Sequence, residues 1–202
     1  MEKQATEAAI LIPNPKSYPM TEFVILVNPQ DEVQGLMEKQ EAHRKGLLHR
    51  AFSVFIFNSD GEMLLQRRAS TKYHSPNLWT NAVCSHPREG ETYKDAAIRR
   101  MKEELGISTE VEKKFHFIYK AEVGGGLWEH ELDTVFVGEY NGPFSPNPAE
   151  VSELRFVSLD RLSEEISQSP EQFTEWFKII LNEFQQFLLK NKIKSSIHKS
   201  KQ

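Results

Sequence analysis

A second cysteine is absent from this chain of 202 residues. Cys84 consequently has no disulfide partner within the chain. Its presence answers either to packing, where a thiol behaves as a small hydrophobe, or to reactivity. A single thiol also argues against a disulfide-stapled secreted scaffold and leads us to expect a reduced, cytoplasmic protein. Apolar runs long enough to cross a bilayer are likewise absent, so no membrane partner is expected. The N-terminal stretch Ala8-Ala9-Ile10-Leu11-Ile12 is too short for the core of a signal peptide, and Pro13 and Pro15 come soon after it. Positive charge is not in excess. Lys and Arg number 25 against 29 Asp and Glu, a net charge of −4, so no global basicity invites nucleic acid. A glycine-rich dinucleotide fingerprint is also missing.

What remains is an ordinary globular composition, 39% hydrophobic and 27% charged, long enough for one domain with a sizeable core. Residues 1–20, with Pro13, Pro15 and Pro19, read as a loosely attached arm. Residues 191–202 read as a polar, basic tail that frays. Residues 21–190 form the expected domain. Within it Phe23 to Val27 is a short buried strand. Arg50 to Phe57 and Glu62 to Arg68 flank the turn cluster Asn58-Ser59-Asp60-Gly61 as a hairpin. Residues 113–123 and 127–140 are long strands around three glycines, and another strand lies near 151–157. Thr92 to Leu105 reads as a helix, opened by Thr92-x-x-Asp95 and stopped by Gly106; Ala97, Ile98, Met101 and Leu105 recur at helical spacing. Leu159 to Ile166 and Pro170 to Leu189 are further helices, the second striped by Phe173, Trp176, Phe177, Ile180, Leu181 and Phe184. The pattern predicts an α/β (α+β) sandwich with a mixed β-sheet between helices.

Two constellations carry chemistry. His43 and His49 precede a strand, His86 follows Cys84 by two residues, and Glu129 and Glu131 sit two apart on a strand, facing the same side. Three imidazoles and two carboxylates supply the donors of a divalent-metal site, although each histidine taken singly is better explained as a surface or packing residue. Six residues along a helix would send His43 and His49 to different faces. They converge only if residues 44–48 form a loop, for which Gly46 offers the break. The second constellation is the helix itself. Arg99-Arg100-Met101-Lys102-Glu103-Glu104-Leu105-Gly106 resembles the end of the Nudix box, Arg-Glu-x-x-Glu-Glu-x-Gly, with Arg100 in place of the first glutamate. Nudix hydrolases use that acid cluster to hold magnesium ions around a diphosphate. An arginine there reduces cation capacity and suggests a diphosphate that is held rather than cut.

The order and spacing of Trp79-Thr80-Asn81-x-x-Cys84-x-His86-Pro87, the altered Nudix helix and Glu129-x-Glu131 resemble type I isopentenyl-diphosphate isomerases. The likeness extends to Gly46 through Ser53 and Leu64 through Arg68, and covers residues 22 to about 182. It implies a Nudix-like fold and interconversion of isopentenyl and dimethylallyl diphosphates without flavin. It implies Cys84 and Glu131 as the acid/base pair, with Tyr119 assisting proton transfer. His43, His49, His86, Glu129 and Glu131 would bind a divalent metal (magnesium, manganese or zinc). Glu104, with the main-chain oxygen of Cys84, would hold a magnesium ion that arrives with the diphosphate. Lys39, Arg68, Lys72 and Arg100 would contact the diphosphate, and Trp176 would face the isoprenoid carbons. The chemistry is consistent: shifting an unactivated double bond needs one proton added and another removed, through a species like a tertiary carbocation that must be kept dry. A Nudix pyrophosphohydrolase and a non-catalytic metal- or diphosphate-binding module are the competing readings. The oligomeric state is not legible.

Overall fold

The computed structural model describes residues 22–199; the expected arm at 1–20 lies outside them. Nine strands form one mixed sheet. β1 (Phe23–Val27) and β2 (Val33–Glu38) pair as an antiparallel hairpin, and α1 (Lys39–Lys45) follows directly. β3 (His49–Phe57) is the spine. It runs parallel to β8 (Trp128–Glu139) over nine residue pairs, from His49↔Glu131 to Phe57↔Glu139. β7 (Val111–Glu122) pairs antiparallel with β8 and sets Tyr119 opposite Glu131.

The hairpin expected of β3 with β4 (Met63–Arg68) exists only at its turn, where Phe57 meets Met63. Beyond that pair the strands diverge, because each finds longer partners elsewhere. β4 pairs with β9 (Val151–Val157) and with the three-residue β5 (Trp79–Asn81). β3 pairs with β6 (Val83–Ser85), setting Ser53 opposite Cys84. β2, β5 and β6 were not read from the sequence.

Alternation along β3 builds two cores. Phe52, Val54 and Ile56 face α2 (Tyr93–Leu105) and pack on Ala97, Met101 and Leu105. Phe55 faces the other way, with Leu162 of α3 (Leu159–Gln168) and Phe177, Ile180 and Phe184 of α4 (Glu175–Lys199). The sheet is thus covered by helices on both faces, as expected. α2 begins where its capping box placed it: Thr92 Oγ1 accepts from the Asp95 main-chain N–H at 3.1 Å and donates to the Asp95 carboxylate at 2.6 Å. It ends at Gly106, in the left-handed region at φ 69°.

The C-terminal helix departs from expectation at both ends. Pro170–Gln172 is a single 3₁₀ turn. Phe173 then forms a parallel bridge with Trp79, and the Thr174 N–H donates to the Trp79 carbonyl at 3.0 Å, before α4 starts at Glu175. At the other end α4 continues to Lys199, through the segment read as a fraying tail. After Pro170 the chain contains neither proline nor glycine, so nothing local ends the helix.

Candidate active site

The site forms where β3 and β8 begin, across four neighbouring strands. Cys84 comes from β6, His49 from β3, Glu129 and Glu131 from β8, and Tyr119 from β7. α1 delivers His43. Lys45 is its last residue and Gly46 turns the chain at φ 59°, so His43 and His49 meet after a three-residue turn, shorter than the loop expected. Their ring centroids lie 5.1 Å apart, and the His86 ring is 5.7 Å from His43 and 5.0 Å from His49.

One donor atom from each of His43, His49, His86 and Glu131 falls within 4.8 Å of the others, a grouping able to hold a metal ion. His49 Nδ1 bonds the Leu47 carbonyl at 2.8 Å, and His43 Nδ1 meets the Tyr73 hydroxyl at 3.2 Å. Those bonds orient the rings and leave both Nε2 atoms buried without a hydrogen-bond partner. Outer hydrogen bonds of this kind fix a ligating tautomer. The donor set therefore fits a divalent cation. His86 Nε2 contacts Glu131 Oε1 at 3.0 Å, while His49 Nε2 stands off at 3.6 Å, an ion-pair distance. Burial, then repulsion from His86 and His49, lowers the His43 pKa to about 3, so the ring is neutral. Glu129 is not within this quartet. It joins through Tyr119, whose hydroxyl donates to Glu131 Oε2 at 2.6 Å and lies 3.0 Å from Glu129 Oε2.

These two carboxyls are driven apart. Burial pushes Glu129 well above the carboxylate range, and the neighbouring Glu131 pushes it further. Burial acts on Glu131 in the same direction, but the imidazoles of His49 and His86 outweigh it and hold Glu131 well below that range. Two acids of one kind are thus pushed in opposite directions, with the Tyr119 hydroxyl between them. Cys84 keeps part of its surface on the cavity. Its dense surroundings first, and the Asp133 carboxyl next, raise its thiol well above the ordinary value.

A cavity of about 170 Å³ gathers eleven of the thirteen residues expected from the sequence. The other two lie directly behind its wall. His49 is fully buried in the imidazole cluster. Glu104 accepts from Gln66 Nε2 at 3.0 Å and pairs with Arg100 at 2.7 Å. Arg100 also reaches Glu103 at 2.9 Å and Glu150 at 3.4 Å. Lys39 pairs with Glu22, and Lys72 with Glu150. Arg68 donates to the carbonyls of Ser75 and His74 and lies 5.0 Å over the Trp176 ring. Trp176 itself is buried at the cavity, with the His74 ring edge-on at 5.5 Å.

Sequence reading missed Tyr73, His74, Glu22 and Glu150 at the cavity, and Ser53 and Asp133 behind Cys84. Asp133 had a signal, since the alternation that pairs Glu129 with Glu131 carries on to it. Tyr73 and His74 sit in a loop without periodicity and had none.

A family model, the NUDIX domain, matches residues 47–177. A protein from Serratia proteamaculans (strain 568) named isopentenyl-diphosphate Delta-isomerase is 45% identical over 164 residues, 81% of this chain and 92% of that protein. One of the same name from Pectobacterium atrosepticum is 47% identical over 161 residues, 80% and 89% respectively. Among solved structures, one from Deinococcus radiodurans aligns with a TM-score of 0.68 and 22% identity, over 80% of this chain and 98% of that one, a likeness of fold.

Proposed function

We propose that this chain, which belongs to the Nudix family and within it to the isopentenyl-diphosphate isomerases, interconverts isopentenyl and dimethylallyl diphosphates in the cavity at the head of β3 and β8. The observation that carries the reading is a thiol and a tyrosine–diglutamate unit lining one small cavity beside three clustered imidazoles. A hydrolase needs no thiol there.

In this reading Cys84 gives its S–H proton to the terminal alkene carbon, forming a C–H bond and leaving a tertiary, carbocation-like centre. Glu131, with Tyr119, takes a proton from the neighbouring methylene, whose C–H electrons form the new double bond. One proton enters and one leaves, so no redox partner is consumed. The depressed basicity of Glu131 matters less than its being ionised, since the cationic centre acidifies the adjoining C–H. The Trp176 ring faces the carbons and stabilises positive charge without attacking it. The reaction requires that water, which would otherwise trap the cation, be kept from it.

His43, His49, His86 and Glu131, with Glu129 nearby, would hold a divalent ion. Such an ion, when bound, supplies positive charge that keeps these carboxylates ionised and in place. Magnesium, manganese and zinc all suit nitrogen and oxygen donors. Glu104 would serve a magnesium ion brought by the diphosphate. Lys39, Arg68, Lys72 and Arg100 would contact the diphosphate, exchanging present carboxylate partners for phosphoryl oxygens. We place the protein in the cytoplasm, acting on this small molecule without nucleic acid or membrane.

The test incubates the protein with isopentenyl diphosphate and a divalent salt and follows dimethylallyl diphosphate and free pyrophosphate separately. Dimethylallyl diphosphate is expected without flavin. A requirement for reduced flavin, or phosphate release as the main outcome, overturns the reading.

A further inference from the structure

The Cys84 sulfur is gripped from behind by two side chains that do not line the substrate cavity. Asn81 on β5 is fully buried and spends both amide hydrogens on main-chain oxygens. Its Nδ2 donates to Val54 of β3 at 3.1 Å and to Val83 of β6 at 2.9 Å. With both donors committed, the carboxamide cannot turn over, and Oδ1 is fixed as an acceptor. That oxygen receives the Cys84 S–H at 2.9 Å. Ser53 Oγ, buried on β3, touches the sulfur at 3.2 Å, and its own hydrogen goes to Asp133 Oδ2 at 2.8 Å. Ser53 therefore also turns lone pairs toward the sulfur. An acceptor and a contacting hydroxyl, anchored on separate strands, thus hold one sulfur.

Packing alone gives no reason for this meeting. The strand-joining role of Asn81 is filled by Nδ2, and Thr80 Oγ1 already donates to Oδ1 at 3.1 Å, so neither requires that oxygen to face a thiol as well. A hydroxyl at Ser53 brings with it the fully buried Asp133, whose Oδ1 has no hydrogen-bond partner. Burying such a group costs free energy that an apolar pair would not.

We propose that Asn81 and Ser53 are positioning residues for Cys84, fixing the sulfur at the cavity wall. This rests on the reading of Cys84 as proton donor. A reacting group displaced by about 1 Å can lose about 10²-fold in rate, so the clamp bears on turnover and not on substrate affinity.

The experiment compares wild type, Asn81→Ala, Ser53→Ala and Ser53→Thr by steady-state kinetics with isopentenyl diphosphate, after thermal melts have established which variants fold. Both alanine variants are expected to lose about 10- to 100-fold in kcat with KM changed less than about twofold, and Ser53→Thr, which keeps the oxygen, to recover most of the rate. Wild-type kcat in either folded alanine variant overturns the proposal. So does a parallel change in kcat and KM, which would mark a merely structural role. If Asn81→Ala does not fold, the Ser53 pair decides on the same criteria. An inactive wild type would instead defeat the functional reading itself.

Discussion

At the residue scale, the proposed reaction divides the work between groups that would touch the reacting carbons and groups that would hold charge. Cys84→Ala and Glu131→Gln are each expected to lower turnover by about 10²- to 10⁴-fold, the usual contribution of a general acid or base, with the fold retained in thermal melts. A rate near wild type in either removes that residue from the proton path. Arg100 belongs to the second group. It pairs with Glu103, Glu104 and Glu150, of which Glu103 also meets Arg99 and Glu150 also meets Lys72. Arg100→Glu would gather four carboxylates where a diphosphate is to bind. Repulsion of about 1.4 kcal/mol already corresponds to a tenfold weaker affinity, so KM for isopentenyl diphosphate is expected to rise at least about tenfold at every magnesium concentration. An unchanged KM would make Arg100 only a counter-ion for the helix. These residues were legible because their signals are local: a lone thiol two residues from a histidine, two glutamates on one strand face, an arginine in an acid's place. Ser53 was not. Its meaning lies in facing Cys84 across β3 and β6, a pairing no short window contains.

At the element scale, two glycines set where helices stop and therefore where the site's side chains point. Gly46 ends α1 at φ 59°, and an added Cβ would come 3.3 Å from the flexible end of Lys120. Gly106 ends α2 at φ 69°, but there a Cβ would lie 2.6 Å from the Ser145 main-chain oxygen. Left-handed backbone costs an ordinary residue roughly 1–2 kcal/mol. Gly46→Ala is expected to lose about that much in urea unfolding, since Lys120 can move aside. Gly106→Ala is expected to lose clearly more, because backbone must shift. Equal losses would show that the Ser145 contact relaxes freely. The sequence announced the stop at Gly106 and a break at Gly46, and with them the longer helices and long strands, but not the short α1 that Gly46 ends. It concealed β5 and β6, which are three residues each, too short for alternation to register. It also concealed the split of the last helix, since proline at a first helical position is an ordinary start, and only the bridge from Phe173 to Trp79 delays the helix to Glu175.

At the scale of the whole molecule, the imidazole cluster and Glu131 join α1, β3, β8 and the residue that follows β6, so whatever binds them ties those elements together. Among the described residues, His43 Nε2 and His49 Nε2 are buried without hydrogen-bond partners, and each such group carries a penalty of about 1–3 kcal/mol. A divalent ion received by them would remove that penalty in the folded state alone. Binding confined to the folded state stabilises by about 2.7 kcal/mol when the ligand is at a hundredfold its Kd. For a chain of this size that corresponds to a rise of roughly 5–11 °C in the thermal midpoint. Thermal melts of protein stripped with a chelator, then given magnesium, manganese or zinc in turn, are therefore expected to show such a rise for at least one ion. The ion producing the largest rise at equal concentration identifies the strongest binder. His49→Ala and His86→Ala are expected to abolish the rise, and bound metal measured on the purified variants should fall with it. A wild-type midpoint indifferent to every ion, or variants that keep both metal and midpoint shift, would place the metal elsewhere and leave the three imidazoles as packing.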